Sequence, residues 1–454
     1  MKPMTIEDIV KATGGRLLQG NPNATVCAIS TDTRNPKPDS LFIPLVGERF
    51  DAHNFIVNAL SGGCTASLTM RKGISCPDAE KALILVDDTR RALGALSASY
   101  RNQFSLPLLA ITGSVGKTTV KELTSAALSA RLHVLKTDGN FNNEIGLPLT
   151  LFRLEETHEA AIIEMGMSGF GEIDALASIA SPDIGIVTNI GLSHIEKLGS
   201  QENIYRAKAE LFSHIAPGGT IILNGDDPIL MAHRHEIACR VLTVGTDTSH
   251  DLWASDVSPT QNSVSFTLHY KGENHSVTLG FPGEHNVINA LLACAAALCL
   301  SIPLPDAIRA MSLYRPDSSR MRLVDAGGIT IIDDCYNAAP ASVSAALKVL
   351  CAHPGRKIAV LGDIKELGSY AESAHKHIGK EAASLGVDLL FGFGDNAKWI
   401  VGSAQGVTAF HYDNIDALNE ALSSYVKEGD TVLIKGSRAM HLERVTEHLT
   451  KTRN

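Results

Sequence analysis

Short apolar runs alternate with amphipathic stretches through the middle of the chain. The runs are Leu108–Thr112, Ala160–Glu164, Ile184–Thr188 and Thr220–Leu223. Their apolar residues are continuous rather than alternating, which is typical of parallel strands covered by helices on both faces. A glycine turn and a helical pattern over Thr118–Arg131 follow the first run. This pattern predicts an α/β domain built on a parallel sheet.

A second block of the same kind occupies the last third of the chain. Its predicted strands are Ile329–Asp333, Lys357–Leu361, Leu389–Gly392 and Thr431–Lys435. Between the blocks, Val241–Leu279 alternates Ser, Thr, Val and His residues, which predicts antiparallel strands, and a helix is predicted over 286–300. The last third is therefore predicted to be a separate α/β domain.

The first hundred residues predict a smaller α/β unit. Its predicted strands are Val26–Ser30, Ser40–Pro44, Ala66–Thr69 and Ala82–Val86, followed by a helix over Arg90–Gln103. Pro107 and Pro316 mark plausible boundaries. A chain of 454 residues is too long for one hydrophobic core. We therefore predict three α/β domains, at residues 1–104, 105–314 and 315–454.

The net charge and the cysteine spacing argue against several classes of protein. With 40 basic and 49 acidic side chains the formal net charge is -9, which gives no electrostatic reason to bind nucleic acid or an anionic membrane. The eight cysteines show no zinc or redox spacing, so free thiols in a reducing compartment are expected. The start, MKPMTIEDIV, lacks signal-peptide character, and the most apolar segment, Ala290–Leu300, is too short to span a bilayer. We expect a cytoplasmic protein without membrane insertion.

A candidate phosphate loop follows the strand Leu108–Thr112. Its glycines would let backbone N–H groups point at phosphate oxygens, Lys117 could reach the outer phosphates, and the Thr118 hydroxyl could ligate Mg²⁺. The strict pattern requires a glycine at position 111, where this chain has Ile111. The alternative is an ordinary glycine-rich strand-turn-helix. Such a loop alone would not separate a motor, a kinase, a switch or a ligase.

Further motifs follow this loop in order along the chain. They are Asn140–Pro148 (NFNNEIGLP), Glu164–Met167 (EMGM), Asn189–His194 (NIGLSH), Gly283–Ala290 (GEHNVINA), Asp333–Ala338 (DDCYNA), Leu361–Gly368 (LGDIKELG) and Lys435–Arg438 (KGSR), preceded by Ser30–Arg34 (STDTR) and Gly47–His53 (GERFDAH). Together with the phosphate loop, this ordered set resembles the Mur ligase family. One departure is Ala339, where the family usually has Asn.

The resemblance implies an ATP-dependent ligase that adds D-alanyl-D-alanine to a UDP-N-acetylmuramoyl-tripeptide. The reaction would proceed through an acyl phosphate, with ATP and Mg²⁺, in a cytoplasmic step of peptidoglycan synthesis. It also implies a UDP-sugar-binding domain, a central P-loop ATPase domain and a C-terminal Rossmann-like domain, in a chain that we expect to be a monomer. The third peptide residue, diaminopimelate or lysine, stays open.

By resemblance, four side chains carry catalysis: Lys117, Glu164, His194 and Lys208. Thr118, Glu164, His194 and Lys208 would hold the metal, with Lys208 acting as a carbamate. Glu164 also ends an apolar strand, which places its carboxylate at the carboxyl edge of the sheet. The ATP contacts would be Thr112, Gly113, Ser114, Val115, Gly116, Lys117, Thr118, Thr119, Asn286, Asn289 and Arg320. Asn286 and Asn289 fall on one helix face and could read an adenine edge.

Two further groups of residues are candidates for the two substrates. Asp334 would orient the ammonium of the dipeptide, Tyr336 and Asn337 would offer hydrogen bonds, and Lys435 and Arg438 would suit an anionic group. His375 is a weaker candidate, because a helical histidine is usually solvated. Candidate contacts for the UDP-sugar are Ser30, Thr31, Asp32, Arg34, Arg49, Asp51 and His53.

Two alternatives stand beside this interpretation. One is a related amide ligase, either the diaminopimelate- or lysine-adding Mur enzyme or folylpolyglutamate synthase; the Asn140–Pro148 and Asp333–Ala338 motifs favour neither. The other is a nucleotide-gated scaffold without catalysis, which predicts loss of Lys117, Glu164, His194 or Lys208. All four are present.

Overall fold

The computed structural model describes residues 1–34, 37–47, 50–74, 76, 78–316 and 320–453. The strands are β1 (Met4–Thr5), β2 (Arg16–Gln19), β3 (Thr25–Val26), β4 (Ala28–Ser30), β5 (Ser40–Phe42), β6 (Ala66–Thr69), β7 (Ala82–Leu85), β8 (Leu108–Thr112), β9 (Val134–Lys136), β10 (Ala160–Glu164), β11 (Ile184–Val187), β12 (Thr220–Asn224), β13 (Arg240–Gly245), β14 (Leu252–Pro259), β15 (Val264–Tyr270), β16 (Glu273–Leu279), β17 (Arg322–Ala326), β18 (Ile329–Asp333), β19 (Lys357–Gly362), β20 (Leu389–Phe393), β21 (Thr408–Tyr412) and β22 (Thr431–Lys435).

The α-helices lie between these strands. They are α1 (Ile6–Thr13), α2 (Ile56–Ser61), α3 (Thr89–Arg101), α4 (Lys117–Leu128), α5 (Gly146–Leu151), α6 (Glu172–Ala180), α7 (Ile195–Leu198), α8 (Gln201–Ala209), α9 (Pro228–Ala232), α10 (His285–Cys299), α11 (Leu304–Leu313), α12 (Pro340–Ala352), α13 (Ala371–Ser384), α14 (Ala397–Ser403), α15 (Ile415–Tyr425) and α16 (Glu443–Arg453). Short 3-10 helices occur at Ala52–Phe55, Glu210–His214, Arg234–Glu236, Gly368–Tyr370 and Arg438–Met440.

The central sheet has the strand order β16-β15-β14-β13-β12-β11-β8-β10-β9. β8 lies between β10 and β11, and strands β8 to β13 run parallel. Successive residues of β8 pack on opposite faces: Leu108 and Ala110 join one apolar cluster, and Leu109 and Ile111 join another with α4 and α10. Both faces of this sheet are therefore covered, as the continuous apolar strands predict.

Two further sheets flank the central one along the chain. The first sheet has the order β2-β7-β6-β5-β4, in which β4 to β7 are parallel and β2 is antiparallel. The C-terminal sheet has the order β17-β18-β22-β19-β20-β21, and all its pairs are parallel except β17 with β18. The α/β class and the multidomain architecture are thus confirmed. The boundaries at 104/105 and 314/315 stay a prediction.

Most predicted elements are present, with several differences. The predicted strand 26–30 is broken at Cys27 into β3 and β4. The prediction of antiparallel strands over Val241–Leu279 is wrong for its first part, because β13 pairs parallel with β12. The alternation of polar and apolar residues was misleading for this strand. The last four residues of Arg240–Gly245 are all buried, as in a parallel strand that is covered on both faces. The short edge strands β9, β17 and β21 were not predicted.

Two contacts join segments that follow the parallel strands of different sheets, near the carboxyl ends of those strands. Arg90, after β7, pairs with Glu144 after β9, and Glu366, after β19, pairs with His194 after β11. Ligands of open α/β sheets bind beyond the carboxyl ends of the strands. The contacts therefore place three potential binding edges around one cleft. Among the helices of the described ranges, none is both long and apolar enough to cross a membrane.

Candidate active site

The phosphate loop joins β8 to α4 and is braced by the loop after β11. Ser114 N donates to Asn189 O at 3.0 Å, and Val115 N donates to Asn189 Oδ1 at 3.0 Å. Thr188 Oγ1 donates to Val115 O at 2.6 Å. The positive end of the 12-residue helix α4 points into the same loop, which favours an anion there.

Gly113 explains the departure from the strict phosphate-loop pattern. Strand β8 continues through Ile111 to Thr112, so the turn begins two residues later than the strict pattern requires. Gly113 has φ +147°, and a Cβ at this position would collide with Thr188 Oγ1. Only glycine fits such a backbone position without displacing its neighbour. The shortened loop is therefore compatible with the fold.

Glu164 is the best-organised carboxylate at this edge. Its side chain is buried, with 2% of the residue exposed. Thr118 Oγ1 donates to Glu164 Oε2 at 2.8 Å, and Asn142 Nδ2 donates to Oε1 at 2.9 Å. The backbone N–H of Glu164 donates to Thr137 Oγ1 at 3.0 Å. The two predicted oxygen donors, Thr118 and Glu164, are thus in direct contact.

Two lysines lie near each other at this site, and one of them, Lys117, lies near the Glu164 carboxylate. Lys117 Nζ donates to the carbonyls of Gly113 at 2.7 Å and Ser114 at 3.4 Å. Burial lowers the pKa of Lys117; nearby Glu164 opposes this shift, and Arg320 adds to it. Lys208, on α8, is 2% exposed, and its pKa lies well below the usual value, chiefly through burial and secondarily through repulsion from Lys117. A lowered pKa increases the fraction of a lysine side chain that is present as the neutral, nucleophilic amine.

His194 lies at the start of α7 in the left-handed region, with φ 64° and ψ 18°. Its loop is tied to the phosphate loop, since Gly191 N donates to Ser114 Oγ at 2.8 Å. His194 Nδ1 lies 2.5 Å from Glu366 Oε2. The His194 side chain lowers the pKa of the Glu366 carboxyl. Burial raises it by less, so the pKa of Glu366 is lowered overall.

The two predicted adenine contacts lie beside the loop. Asn289 Nδ2 donates to Asn286 Oδ1 at 3.0 Å, and Asn286 Nδ2 donates to Pro282 O at 2.8 Å. The expectation that they share one helix face is confirmed. Both are buried, and Asn289 Oδ1 would lie 2.9 Å from a Cβ at Gly116. Their contact with a nucleotide stays a prediction.

Arg320, predicted as an ATP contact, and Arg438, predicted at the dipeptide site, both lie near Tyr336. The Arg320 guanidinium carbon lies 4.0 Å from the ring centroid, and that of Arg438 lies 5.9 Å from it. Cation–π contact stabilises such stacking. Because Arg320 also influences the pKa of Lys117, it lies near the phosphate loop as well as the C-terminal sheet.

Asp334 and Lys435, predicted to bind opposite ends of a dipeptide, pair with each other. Lys435 Nζ lies 2.5 Å from Asp334 Oδ2 and also donates to Asn337 O at 3.1 Å. Met321 N donates to Asp334 Oδ1 at 3.2 Å. Burial raises the pKa of Asp334, and Lys435 opposes that shift. A ligand at this position must therefore compete with or add to an internal ion pair.

His375 is placed differently from the prediction. It is fully buried rather than solvated. Its Nδ1 lies 2.6 Å from Ala371 O, and its Nε2 accepts a hydrogen bond from Ile364 N at 3.0 Å. The histidine therefore holds the loop after β19, and the prediction that helix position implies exposure is wrong here.

The candidate contacts of the first sheet gather at its carboxyl edge and are also paired among themselves. Arg34 Nη2 lies 2.6 Å from Asp32 Oδ2, and hydrogen bonds from Arg34 lower the pKa of Asp32 to about 2. Asp51 lies 2.7 Å from His53 Nδ1 and 2.5 Å from Arg71 Nη2.

The rest of this set has distinct surroundings. His53 is buried, and its Nε2 accepts a bond from Met70 N at 3.2 Å. Ser30 Oγ donates to Asp32 O at 2.9 Å. Thr31 is half-buried next to it. Arg49 lies outside the described residues.

The residues present fit a magnesium ion in part. Mg²⁺ prefers hard oxygen ligands and retains several waters. The touching Thr118 hydroxyl and Glu164 carboxylate offer two such oxygens. Within the part of the chain that the structure describes, no three His, Cys, Asp or Glu side chains cluster closely enough to hold a metal by themselves. A cation here would thus depend on ligands from a substrate or from a modified side chain.

Several residues at the site were not predicted as functional. Thr137 and Asn142 hold Glu164, Asn189 braces the phosphate loop, and Glu366 contacts His194. Asn142, Asn189 and Glu366 lie within motifs that the sequence already shows. Their roles depend on distances between loops, which a motif alone does not reveal.

The sequence of the chain matches models of known protein families. A family model described as the Mur ligase middle domain matches residues 111–297, and one described as the Mur ligase, glutamate ligase domain matches residues 319–438. The chain is similar to the UDP-N-acetylmuramoyl-tripeptide–D-alanyl-D-alanine ligase of Bacillus subtilis, with 37% identity over 99% of this chain and 98% of the relative.

Solved structures are similar over nearly the whole length. A crystal structure of MurF from Acinetobacter baumannii aligns with a TM-score of 0.91 and 34% identity, covering 99% of both chains. MurF ligase from Thermotoga maritima in complex with ADP aligns with a TM-score of 0.85 and 28% identity, covering 93% of this chain and 97% of that one.

Proposed function

The chain belongs to the Mur ligase family, and from this premise we propose that it adds D-alanyl-D-alanine to a UDP-N-acetylmuramoyl-tripeptide with consumption of ATP. The observation that carries this function is the meeting of Lys117, the Thr118–Glu164 pair and buried Lys208 at one sheet edge. Relatives that carry this ligase name match nearly the full length of the chain. The reaction is a step of peptidoglycan synthesis.

The reaction has two steps, of which the first brings two anions together and the second brings in the amine of the dipeptide. The tripeptide carboxylate attacks the γ-phosphorus of ATP, which forms an acyl phosphate and releases ADP. The free amine of the dipeptide then attacks the acyl carbon, loses a proton and displaces inorganic phosphate, leaving an amide bond. Charge repulsion between carboxylate and γ-phosphate must be offset in the first step.

Residues of the central sheet supply that compensation. Lys117 and the N–H groups of the phosphate loop bind and orient the phosphates, and Arg320 adds positive charge from the C-terminal side. Asn289 lies beside Gly116 of the loop, and in this proposal Asn286 and Asn289 bind the adenine of ATP. Holding carboxylate and phosphate in line removes much of the entropic cost of their encounter.

Mg²⁺ accompanies ATP in this proposal. Thr118 and Glu164 would hold one ion, and His194 together with a carbamate on Lys208 would hold a second. When bound, the cations neutralise charge on phosphate oxygens. The neutral amine favoured by the surroundings of Lys208 is the form that reacts with CO₂, and the carbamate carries two oxygens for a metal.

The two outer sheets bind the peptide substrates. The carboxyl edge of the first sheet, with Ser30, Thr31, Asp32, Arg34, Arg49, Asp51 and His53, binds the UDP-sugar. The edge of the C-terminal sheet, with Asp334, Tyr336, Asn337, Lys435 and Arg438, binds the dipeptide. With domain boundaries at 104/105 and 314/315, each of the three domains contains one of the three larger sheets and binds one substrate. We further propose that the chain works as a cytoplasmic monomer.

Parallel assays with three acceptors test this function. The chain is incubated with ATP, the UDP-tripeptide and either D-alanyl-D-alanine, meso-diaminopimelate or glutamate, and phosphate release and amide product are measured. We expect both only with D-alanyl-D-alanine. Product with one of the other amines would assign a related ligase, and no phosphate with any of them would assign a scaffold.

A further inference from the structure

We propose that the buried Lys121 is a positioning residue, which holds the Glu164 carboxylate in the orientation that binds a cation beside ATP. This inference rests on the proposed function, in which Thr118 and Glu164 would hold one magnesium ion. Lys121 lies on α4 three residues after Thr118, and therefore on the same face of the helix. Its ammonium reaches from this helix to the edge of the central sheet, where it contacts the residue after β9.

Lys121 is a charged side chain at the centre of a buried contact. It is 1% exposed, and its Nζ donates to the carbonyl oxygen of Thr137 at 2.7 Å. Nζ also lies 3.1 Å from Glu122 Oε1, while Lys136 contacts the other oxygen of Glu122. Replacing a buried ion pair by apolar side chains often costs no stability. The ammonium is therefore expected to serve the contact with Thr137 rather than the stability of the fold.

Thr137 continues the short strand at the edge of the central sheet. β9 has three residues, is the last strand of the sheet and pairs with β10. Thr137 N donates to Ile162 O at 3.0 Å, which extends this pairing by one residue. The bond from Lys121 to Thr137 O adds an attachment from the helix side. The end of β9 is therefore held from two directions, by β10 and by α4.

The segment that begins at Thr137 supplies two contacts of Glu164. Thr137 Oγ1 accepts from the N–H of Glu164 at 3.0 Å, and Asn142 Nδ2 donates to Glu164 Oε1 at 2.9 Å. With Oε1 turned to Asn142, Oε2 faces Thr118 Oγ1 at 2.8 Å. Displacement of Thr137 would therefore move both the backbone and the carboxylate of Glu164.

The coordination chemistry of magnesium gives this support its consequence. Mg²⁺ demands near-ideal octahedral geometry, and a binding group must be held within about 0.5 Å of its productive position. Loss of a residue that orients a metal ligand typically weakens metal binding about 10- to 100-fold. Lys121 acts on Glu164 through Thr137, so its removal should weaken cation binding without removing a contact to the nucleotide phosphates.

The effect of Mn²⁺ on ADP binding to the full-length protein tests this role. ADP is titrated calorimetrically with and without Mn²⁺, and the ratio of the two affinities is compared between the wild type and Lys121→Met. We expect this Mn²⁺-dependent ratio to fall about 10-fold in the variant, with the metal-free ADP affinity unchanged. Lys121→Gln, which is uncharged and shorter by one bond, is a second variant of the position and should act in the same direction.

Lys136→Met is the matched control. It also removes a lysine that pairs with Glu122, but the side chain of Lys136 is 36% exposed and lies at the strand end rather than on α4. Glu122 keeps one lysine partner in either variant. We expect Lys136→Met to keep the wild-type ratio.

Two substitutions of Thr137 identify the route of the effect. Thr137→Val removes the acceptor of the Glu164 N–H and should lower the ratio as Lys121→Met does, whereas Thr137→Ser keeps a hydroxyl and should keep most of the ratio. The double variant Lys121→Met/Thr137→Val should fall no further than the lower of the two single variants, because both substitutions break one chain of contacts.

The outcomes separate the proposal from the function on which it rests. A wild-type ratio in Lys121→Met and Lys121→Gln, together with a lost ratio in Glu164→Gln, overturns the positioning role and leaves the proposed function standing. Additive losses in the double variant also overturn it, because Lys121 would then act independently of Thr137. An unchanged ratio in Glu164→Gln instead contradicts the assignment of Glu164 as a cation ligand in the proposed function.

Discussion

Charged residues that motifs mark as ligand contacts are often each other's partners. Asp334 pairs with Lys435, and Asp32 pairs with Arg34. Pairing of this kind keeps a binding side chain in one orientation and reduces the conformational entropy that a ligand must otherwise remove. Substitution of one partner therefore acts on the other as well as on the ligand.

Lys208→Ala should be nearly inactive, and a short carboxylic acid should partly restore it. The buried amine at this position favours carbamylation, and acetate or formate could fill the oxygen site that the variant vacates. Phosphate release is measured with and without added acetate or formate. Lys197→Ala, which removes an exposed-side lysine bonded to Ser168 Oγ, serves as a control. Full activity of Lys208→Ala in CO₂-depleted buffer would contradict the assignment.

Asp334→Asn should reduce dipeptide use and also destabilise the fold. The substitution leaves the charged Lys435, whose side chain is 3% exposed, without its carboxylate partner. Loss of one member of a buried ion pair costs about 3–5 kcal/mol, and the loss of a charge-assisted bond to the dipeptide ammonium lowers kcat/KM for D-alanyl-D-alanine roughly 10- to 100-fold.

The double variant Asp334→Asn/Lys435→Met separates these two effects. Removing both charges should recover much of the stability, measured by denaturant unfolding, without recovering dipeptide use. An equal loss of UDP-tripeptide and dipeptide efficiency in the single variant would instead indicate a structural role at the sheet edge.

At the scale of elements, the ends of parallel strands determine where each functional group lies. β8, β10, β11, β19 and β22 all terminate at the cleft, and the loops that follow them are held by hydrogen bonds from neighbouring loops. Asp227 shows this support, since its carboxylate caps α9 through Ile229 N and Leu230 N and also accepts from Ile190 N at 2.7 Å. The loop that ends at His194 is therefore fixed at its beginning.

His375 should make folding stability depend on pH through the loop after β19. Burial lowers its pKa below the ordinary 6.5, so the unfolded chain takes up a proton before the folded chain does. The stability contributed by neutral His375 is therefore complete above pH 6.5 and is lost as the pH falls through the folded pKa. His375→Gln should lower the unfolding free energy by about 1–3 kcal/mol near neutral pH, because Ile364 N loses its acceptor.

The variant should also lose less stability than the wild type on acidification. Denaturant unfolding at about pH 7.5 and about pH 5.5 gives the comparison. His377→Gln, on the exposed side of the same helix, is the control. An identical pH dependence for His375→Gln and the wild type would refute the assignment.

At the scale of the whole molecule, three sheets face one cleft, and the contacts that cross between them include Arg90 with Glu144 and His194 with Glu366. One apolar cluster extends from Met4 to Leu433 and includes residues of all three sheets, which ties the parts together below the cleft. Closing such a cleft excludes water from a reactive acyl phosphate. Nucleotide turnover should therefore require the substrate that reacts with ATP.

ATP should be converted to ADP and phosphate only when the UDP-tripeptide is present. The phosphate loop presents the γ-phosphate, so transfer of that group is the expected chemistry. Nucleotide products are separated and quantified in the presence and absence of the tripeptide. Lys117→Ala should lower the rate on the order of 10²-fold or more. Stoichiometric AMP and pyrophosphate would show that the carboxylate is adenylated instead.

The sequence by itself determined most of the parallel strands, the order of the motifs and the family. Continuous apolar runs predict parallel strands because both faces of each strand must be buried, and β6, β8, β10, β18 and β22 have the predicted bounds. Lys117 and Glu164 could be selected from the phosphate loop and from the end of an apolar strand, whereas Lys208 was selected only through the resemblance to the Mur ligase family. Local chemistry and periodicity suffice for the first two.

Only the tertiary structure decided which side chains meet. The contacts of Glu366 with His194, Lys435 with Asp334 and His375 with Ile364 join residues of different strands, helices and loops. The parallel pairing of β13 likewise depends on the neighbour that the sheet offers, not on the alternation of its residues. These features follow from the packing of distant segments, and no short-range pattern in the chain encodes the distance between two loops.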